Sequence, residues 1–258
     1  MLSTRNITYS IGTRQILKGI SLDFIPGEFT MVLGPNGSGK SSFLKIFSGQ
    51  VATYGGSVSY GNRPLNQISK EELAKQRAVM SQQTELSFPL TVEEVVMMGR
   101  YPYFTFNPGK KDIDICNEVM ERMNLGPFRY RDYTTLSGGE KQRVQYARVL
   151  SHIWEPPASG TRYLYLDEPL NNLDLSYQHE LLQIAGRLRD QGSVLVAVMH
   201  DINLAIQYAD KLVFIKEGKL VAHGGPGIIH PGVVEKVFNV KTVVISNPVN
   251  GRPLVIYP

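Results

Sequence analysis

A chain of 258 residues with 27 Lys and Arg against 23 Asp and Glu, a formal net charge of +4, is long enough to bury a substantial core in one or two domains. Its 42% hydrophobic and 19% charged residues exclude a disordered or collagen-like polypeptide. Apolar stretches such as residues 194–199 fall far short of the roughly 18–20 residues that span a bilayer, and no basic run marks a nucleic-acid-binding arm. Met1-Leu2-Ser3-Thr4-Arg5 has neither the apolar core nor the cleavage site of a secretory signal, and Cys116 has no second cysteine to pair with. A cytoplasmic setting is expected, with Cys116 as a small apolar helix residue.

Alternation at Ile7 and Tyr9, and again at Ile20, Leu22 and Phe24, with turn residues Gly12, Pro26 and Gly27, predicts antiparallel strands in the first thirty residues. Residues 29–33 form an apolar strand that ends in a glycine-rich turn. Phe43, Leu44, Ile46 and Phe47 then give residues 42–48 a helical stripe. A strand at 57–60 and a helix opened by Ser69-x-x-Glu72 precede another strand at 78–80. Between about 91 and 150 the strand signal is weakest and the helical signal strongest: Thr91-x-x-Glu94 opens one helix, and Ile113, Ile115, Val119, Met120 and Met123 stripe another. From 162 onward, strands at 163–166, 194–199 and 212–215 alternate with helices at about 175–191 and 202–209, which argues for an α/β chain with a mostly parallel sheet. Val243-Val244-Ile245 and Leu254-Val255-Ile256 flank Asn250-Gly251 as a terminal hairpin.

Gly34-Pro35-Asn36-Gly37-Ser38-Gly39-Lys40-Ser41 fits GxxxxGK[ST] between a predicted strand and a predicted helix. Glycines let the backbone wrap an anion so that amides and a helix N-terminus face phosphate oxygens, Lys40 reaches the β/γ-phosphates, and Ser41 offers a hydroxyl to Mg²⁺. Downstream, Arg162-Tyr163-Leu164-Tyr165-Leu166-Asp167-Glu168 is an apolar strand ending in two carboxylates. Asp167 suits the Mg²⁺ shell, and Glu168 suits polarising a water for attack on the γ-phosphate.

Leu136-Ser137-Gly138-Gly139-Glu140-Lys141-Gln142-Arg143 closely resembles the signature motif of ABC transporter ATPases. The resemblance implies an α/β P-loop NTPase of the ABC ATPase fold over residues 1–258. A RecA-like core with an N-terminal antiparallel β subdomain would occupy 1–90 and 151–225, an inserted helical subdomain 91–150, and a C-terminal helix and hairpin 226–258. It implies ATP and Mg²⁺ as cofactors, with Ser41, Gln82 and Asp167 around the metal and Glu168, His200, Lys40 and Gln82 in catalysis. Gln82 resembles the Q-loop glutamine, with Gln83 beside it as the alternative, and His200 resembles the switch histidine at the γ-phosphate. One copy would bind nucleotide through Tyr9, stacked on adenine, and through Gly34, Pro35, Asn36, Gly37, Ser38, Gly39, Lys40, Ser41 and Ser42. The other copy would contribute Ser137, Gly138, Gly139, Glu140 and the D-loop residue Asp174. Two departures from the family pattern are Glu140, where many members have Gln, and Leu170-Asn171-Asn172-Leu173-Asp174 in place of Thr-Ser-x-Leu-Asp.

The implied partners are a second copy of the chain, an integral-membrane permease dimer at whose cytoplasmic face the chain would sit, and, indirectly, a substrate-binding protein. Neither nucleic acid nor cargo is expected to bind. The stretch from Phe88 to Arg100 is similar to importers of the iron-siderophore, cobalamin and haem class. His152-Ile153-Trp154-Glu155-Pro156-Pro157 and the ending Asn247-Pro248 to Gly251-Arg252-Pro253 resemble the haem-importing branch, with ferric siderophore or cobalamin as alternative cargo and an exporter or non-transport ABC ATPase as further alternatives. Met97, Met98, Tyr101, Tyr103, Phe104 and Phe106 are expected to be mostly core, some of them lining a groove for a permease helix.

Overall fold

The computed structural model describes residues 1–81, 89–157 and 160–257. In chain order these form β1 (Leu2–Ile11), β2 (Arg14–Phe24), β3 (Phe29–Leu33), α1 (Lys40–Phe47), β4 (Gly55–Tyr60), β5 (Arg63–Pro64), α2 (Lys70–Gln76), β6 (Arg77–Met80), α3 (Val92–Met97), α4 (Lys110–Arg122), α5 (Gly138–His152), β7 (Tyr163–Asp167), α6 (Leu175–Asp190), β8 (Val194–Val198), α7 (Ile202–Tyr208), β9 (Lys211–Lys216), β10 (Lys219–Gly224), α8 (Pro231–Phe238), β11 (Val243–Ser246) and β12 (Pro253–Ile256). They gather into two compact units, Met1–Ile68 with Ala185–Pro258, and Ser69–Ile184.

In the first unit the predicted alternation produces an antiparallel sheet in the order β2-β1-β4-β5, with Leu2 opposite both Phe24 and Tyr60. Ile20, Leu22 and Phe24 are buried at period two, and Ile7 and Leu17 are buried as well, the register shift between Ile7 and Thr8 bringing Leu17 to the same face as Ile20. The apolar stripe of α1 closes against this sheet: the Phe47 ring lies 5.1 Å from Phe24 and 5.0 Å from Phe43, the latter edge-on. A second sheet places β3 between β8 and β9, both parallel to it, with β10 antiparallel at the edge. Residues 29–33 and 194–198 are all buried, so these strands read as continuous apolar runs and not as alternating ones. The terminal hairpin forms as expected, with Val243 opposite Ile256 and Ser246 opposite Pro253.

In the second unit β6 and β7 run parallel, from Arg77 opposite Tyr163 to Met80 opposite Leu166. Both Thr91 and Ser137 close full capping boxes, with Glu94 and Glu140 respectively, and the Ser69 hydroxyl accepts from the Glu72 amide. Along α4, Ile115, Val119 and Met120 are buried, as is Met123 just beyond, whereas Ile113 is 41% exposed. Two residues before Ile115 on a 3.6-residue period, it falls on the outer face. Cys116 packs in the same helix, and burial pushes its thiol pKa up to about 12, so it is an inert apolar residue.

The post-Q-loop aromatic cluster departs from expectation. Met97, Met98, Tyr103 and Phe104 are half-buried, while Tyr101 and Phe106 are exposed, and none joins the core. Instead the segment around Pro102 is organised by Arg100, whose guanidinium is almost fully buried. It donates to Asp112 Oδ1 and the Ser151 carbonyl, both at 2.9 Å, and stacks 3.9 Å from the Tyr103 ring centroid.

His152 is half-buried beside this segment, its Nε2 bonded to the Ala74 carbonyl. Burial first, then the charges of Arg77, Arg100 and Arg148, hold its imidazole below the ordinary 6.5, against the opposing effect of the Ala74 bond. The unfolded chain therefore takes up a proton that the folded chain refuses. Stability is full above the ordinary value and declines as pH falls through it. Thermal melts should show this acid slope in the wild type and lose part of it in His152→Gln, whose amide can still donate to Ala74.

Candidate functional site

Parallel strand β3 delivers the chain to the phosphate loop at its C-terminal end, the position where α/β sheets present ligand sites. Gly34 and Gly37 have φ of +152° and +73°, which glycine adopts without strain. At Gly34 a Cβ would lie 2.0 Å from the Ile215 carbonyl oxygen on β9, so the loop is pressed against the sheet. Gly39 begins α1 with no side-chain cap, and there is no acidic residue in the first turn. The positive end of the helix thus carries no acidic side chain and favours an anion. Lys40, 5% exposed, donates from Nζ to the carbonyls of Gly34 at 2.8 Å and Pro35 at 3.0 Å, which holds its charge over the loop. Pro35, Asn36 and Ser38 complete the loop, with the Ser38 amide donating to the Pro35 carbonyl, and half-buried Ser41 and Ser42 follow in the first turn of α1. A cradle of this shape and charge fits a polyphosphate.

Tyr9 is half-buried on β1, opposite Leu17 of β2. Leu17 and Ile16 in turn abut the loop, since a Cβ on Gly39 would lie 2.7 Å from Leu17 Cδ2 and 3.2 Å from the Ile16 carbonyl. One strand neighbour therefore separates Tyr9 from the phosphate loop. His200 follows β8, whose Val198 pairs with Val32 of β3. It is exposed, between Met199, whose amide donates to the Val32 carbonyl, and Asp201, whose carboxylate caps α7.

The second unit carries the other motifs. Buried strand β7 ends at Asp167, 2% exposed, and Glu168 follows at φ +52°, a conformation costly for a non-glycine residue and typical of functional turns. Asn171 Nδ2 donates to Glu168 Oε2 at 2.9 Å, a bond that orients the carboxylate. Sequence reasoning treated Asn171 only as a departure from the D-loop pattern. Its position three residues after Glu168, across the turn at Pro169, was the available signal.

Ser137 caps α5: its hydroxyl oxygen accepts from the Glu140 amide at 3.3 Å, and its own amide donates to Glu140 Oε2 at 2.7 Å. Hydrogen bonds donated to the Glu140 carboxylate by the Ser137 amide, the larger effect, and by the Ser137 hydroxyl lower its pKa, which explains a charged residue at this place. The amides of Gly138 and Gly139 have no intrahelical acceptor by position. Gly139 lies beneath the D-loop, a Cβ there being 3.0 Å from the Asn172 carbonyl. Gln142 locks the same helix to the acidic turn by donating to the Pro169 carbonyl at 2.8 Å. Asp174 caps α6, accepting from the Tyr177 amide and the Ser176 hydroxyl, both at 3.0 Å, and these bonds lower its carboxyl pKa. Gln82 and Gln83 lie outside the described residues.

Tyr103 belongs to a cleft of about 720 Å³ that it shares with Glu72, Lys75, Lys111, Glu155 and Pro156. Tyr101 is not among its lining residues. It is exposed and packs edge-on against Phe104. Glu155, Pro156 and Pro157 of the Trp-Glu-Pro loop form one wall, and Glu155 is tied to Lys111 at 2.7 Å. Among the described residues no helix is long and apolar enough to cross a membrane.

The ABC transporter family profile matches residues 17–171. The chain is 44% identical to the hemin import ATP-binding protein HmuV of Gloeobacter violaceus over 257 residues, 99% of this chain and 94% of the relative. It is 38% identical to HmuV of Escherichia coli O157:H7 over 258 residues, 99% of each. A bacterial ABC transporter cassette solved as a dimer matches with a TM-score of 0.75 at 28% identity, covering 87% of this chain and 98% of that one. With the phosphate loop, the signature helix and the acidic strand end all inside the matched region, the chain belongs to the ABC transporter family, as one of its ATP-hydrolysing subunits.

Proposed function

We propose that this chain powers the import of haem, working as a homodimer beneath a membrane permease at the cytoplasmic face. The observation that carries the reading is the full-length similarity to hemin import proteins. It continues past residue 171, where the family profile ends, so shared ATPase motifs alone do not account for it.

In this reading Lys40, Ser41 and the phosphate-loop amides hold the β- and γ-phosphates, and Tyr9 stacks on the adenine. Oxygens of Ser41, Asp167 and Gln82 would hold a Mg²⁺, which would supply positive charge at the phosphates. That donor set of hydroxyl, carboxylate and amide oxygens suits a hard cation which keeps several waters. Glu168 takes the proton from the water that attacks in line, and Asn171 keeps the carboxylate aimed. His200 meets the γ-phosphate, where charge builds up. In a head-to-tail dimer, Ser137 donates its hydroxyl proton, and Gly138 and Gly139 their amides, to the nucleotide bound by the other copy, with Asp174 at the seam. Closure on ATP and opening after hydrolysis move the permease. The cleft bearing Tyr103 and Glu155 receives a cytoplasmic permease segment, while a separate binding protein delivers haem that this chain need not touch.

The test uses the whole complex, isolated through a tag on this chain and reconstituted in lipid, with phosphate release followed in the presence of empty, haem-loaded or ferric-siderophore-loaded binding protein. Haem-loaded protein should stimulate turnover well above the empty form. Stimulation by another cargo alone would replace haem as the substrate, and indifference to every binding protein would favour an exporter.

A further inference from the structure

The segment 247–253 enters the resemblance only as a mark of lineage, yet it occupies a defined place in the fold. Its turn is fixed locally: the Asn247 amide donates to the Arg252 carbonyl at 2.8 Å, the Gly251 amide to the Asn247 carbonyl at 2.8 Å, and the Arg252 amide to Asn250 Oδ1 at 3.0 Å. Thus presented, Arg252 Nη1 reaches the C-terminal end of α7 and donates to the carbonyls of Ile206 at 2.7 Å, Gln207 at 2.8 Å and Ala209 at 3.1 Å. A guanidinium there satisfies terminal carbonyls and faces the negative end of the helix. Near the other end, Asn203 acts as an additional rung for β12: Nδ2 donates to the Val255 carbonyl at 2.9 Å, and Oδ1 accepts from the Val255 amide at 2.8 Å. Val255 itself is 2% exposed.

Helix α7 has seven residues, too few to be stable without packing, and it begins two residues after His200. On its N-terminal side His200 is anchored through Met199 to β3. On its C-terminal side the anchor is α7, and the hairpin grips α7 at both ends.

We propose that the C-terminal hairpin clamps α7 through Arg252 and Asn203 and so sets the position of His200, which makes both side chains positioning residues for ATP hydrolysis. The proposal rests on the reading of His200 as the γ-phosphate contact. Both side chains spend these hydrogen bonds on β12 and on α7 with its C-terminal end, so losing either should lower turnover and leave nucleotide binding in place.

The test measures ATP turnover of the reconstituted complex carrying Asn203→Ala, Arg252→Ala or Arg252→Lys, each also combined with His200→Ala. Arg252→Ala and Asn203→Ala should lower kcat about tenfold with KM for ATP changed less than about twofold, and Arg252→Lys should recover part of the loss. In the His200→Ala background the same substitutions should produce no further loss, because the group they position is gone, whereas loosened packing would lower the rate by the same factor in both backgrounds. Normal kcat in both alanine variants while His200→Ala is slowed but still measurable would overturn the clamp alone, and so would equal losses in both backgrounds. Wild-type turnover by His200→Ala would overturn the reading of His200 and the clamp with it. Arg252→Lys, which keeps the charge at the helix end, serves for the comparison of backgrounds if an alanine variant proves unfolded by thermal melting.

Discussion

Replacing Glu168 by Gln is expected to leave ATP binding intact and to lower turnover by at least about 100-fold, the range for losing a positioned general base. Glutamine fills the same space and can still accept from Asn171, so the strained turn at φ +52° need not rearrange. What disappears is a group able to take the proton of the attacking water. Binding should persist because the proposed phosphate cradle, from Gly34 to Ser42, belongs to the β3–α1 connection and not to the acidic turn. With hydrolysis blocked and closure still driven by ATP, the variant should accumulate as a nucleotide-loaded dimer on size exclusion. A monomeric variant that hydrolyses ATP at the normal rate would remove Glu168 from the mechanism.

The second large effect is expected at Gly34, where a methyl group meets two obstacles at once. At φ +152° a side chain costs about 1–3 kcal/mol in backbone strain, and the added Cβ would sit 2.0 Å from the Ile215 carbonyl and 3.0 Å from Ser38 Oγ. Ile215 is a fully buried residue inside β9, paired through its neighbours with β3, so it cannot move aside cheaply. The loop must shift instead, which takes its amides away from the phosphates. Gly34→Ala should therefore weaken ATP binding at least about tenfold and lower the melting temperature by several degrees, as expected for about 1–3 kcal/mol in a chain of this size. Gly37→Ala is the control. Its φ of +73° makes alanine unfavourable, but nothing lies within 4 Å of the new Cβ, so only the smaller conformational cost remains. Equal nucleotide affinities in titrations of Gly34→Ala and wild type would mean that this loop does not hold the phosphates.

Glu168 was accessible from sequence because an apolar strand ending in carboxylates downstream of a phosphate loop is a contiguous pattern. Its partner Asn171 was not, because a side chain three residues away can point to solvent, to the backbone or to the carboxylate, and only the turn at Pro169 selects among them. The Gly34 contact with Ile215 spans a parallel strand crossover, and no local pattern announces which glycine of the loop lies against a neighbouring strand.

Sequence alone determined whatever depends on neighbours within about one turn of chain. That includes the alternation within the first two strands, the capping box at Thr91, the buried runs of β3 and β8, the phosphate loop and the signature helix. Each is specified by alternation, by a bond from residue i to i+3, or by a short motif, so the physics and the letters share one length scale. Tertiary structure decided the rest: that the aromatic segment after Met97 lies outside the core, that Arg100 is buried against Asp112 and Ser151, and that Arg252 and Asn203 bind the hairpin to the helix after His200. Those contacts join residues 12 to 52 positions apart. A polar side chain carries no mark of a distant partner, because burial and hydrogen bonding at such a separation are settled by where the sheet and helices bring the backbone, not by the residues beside it.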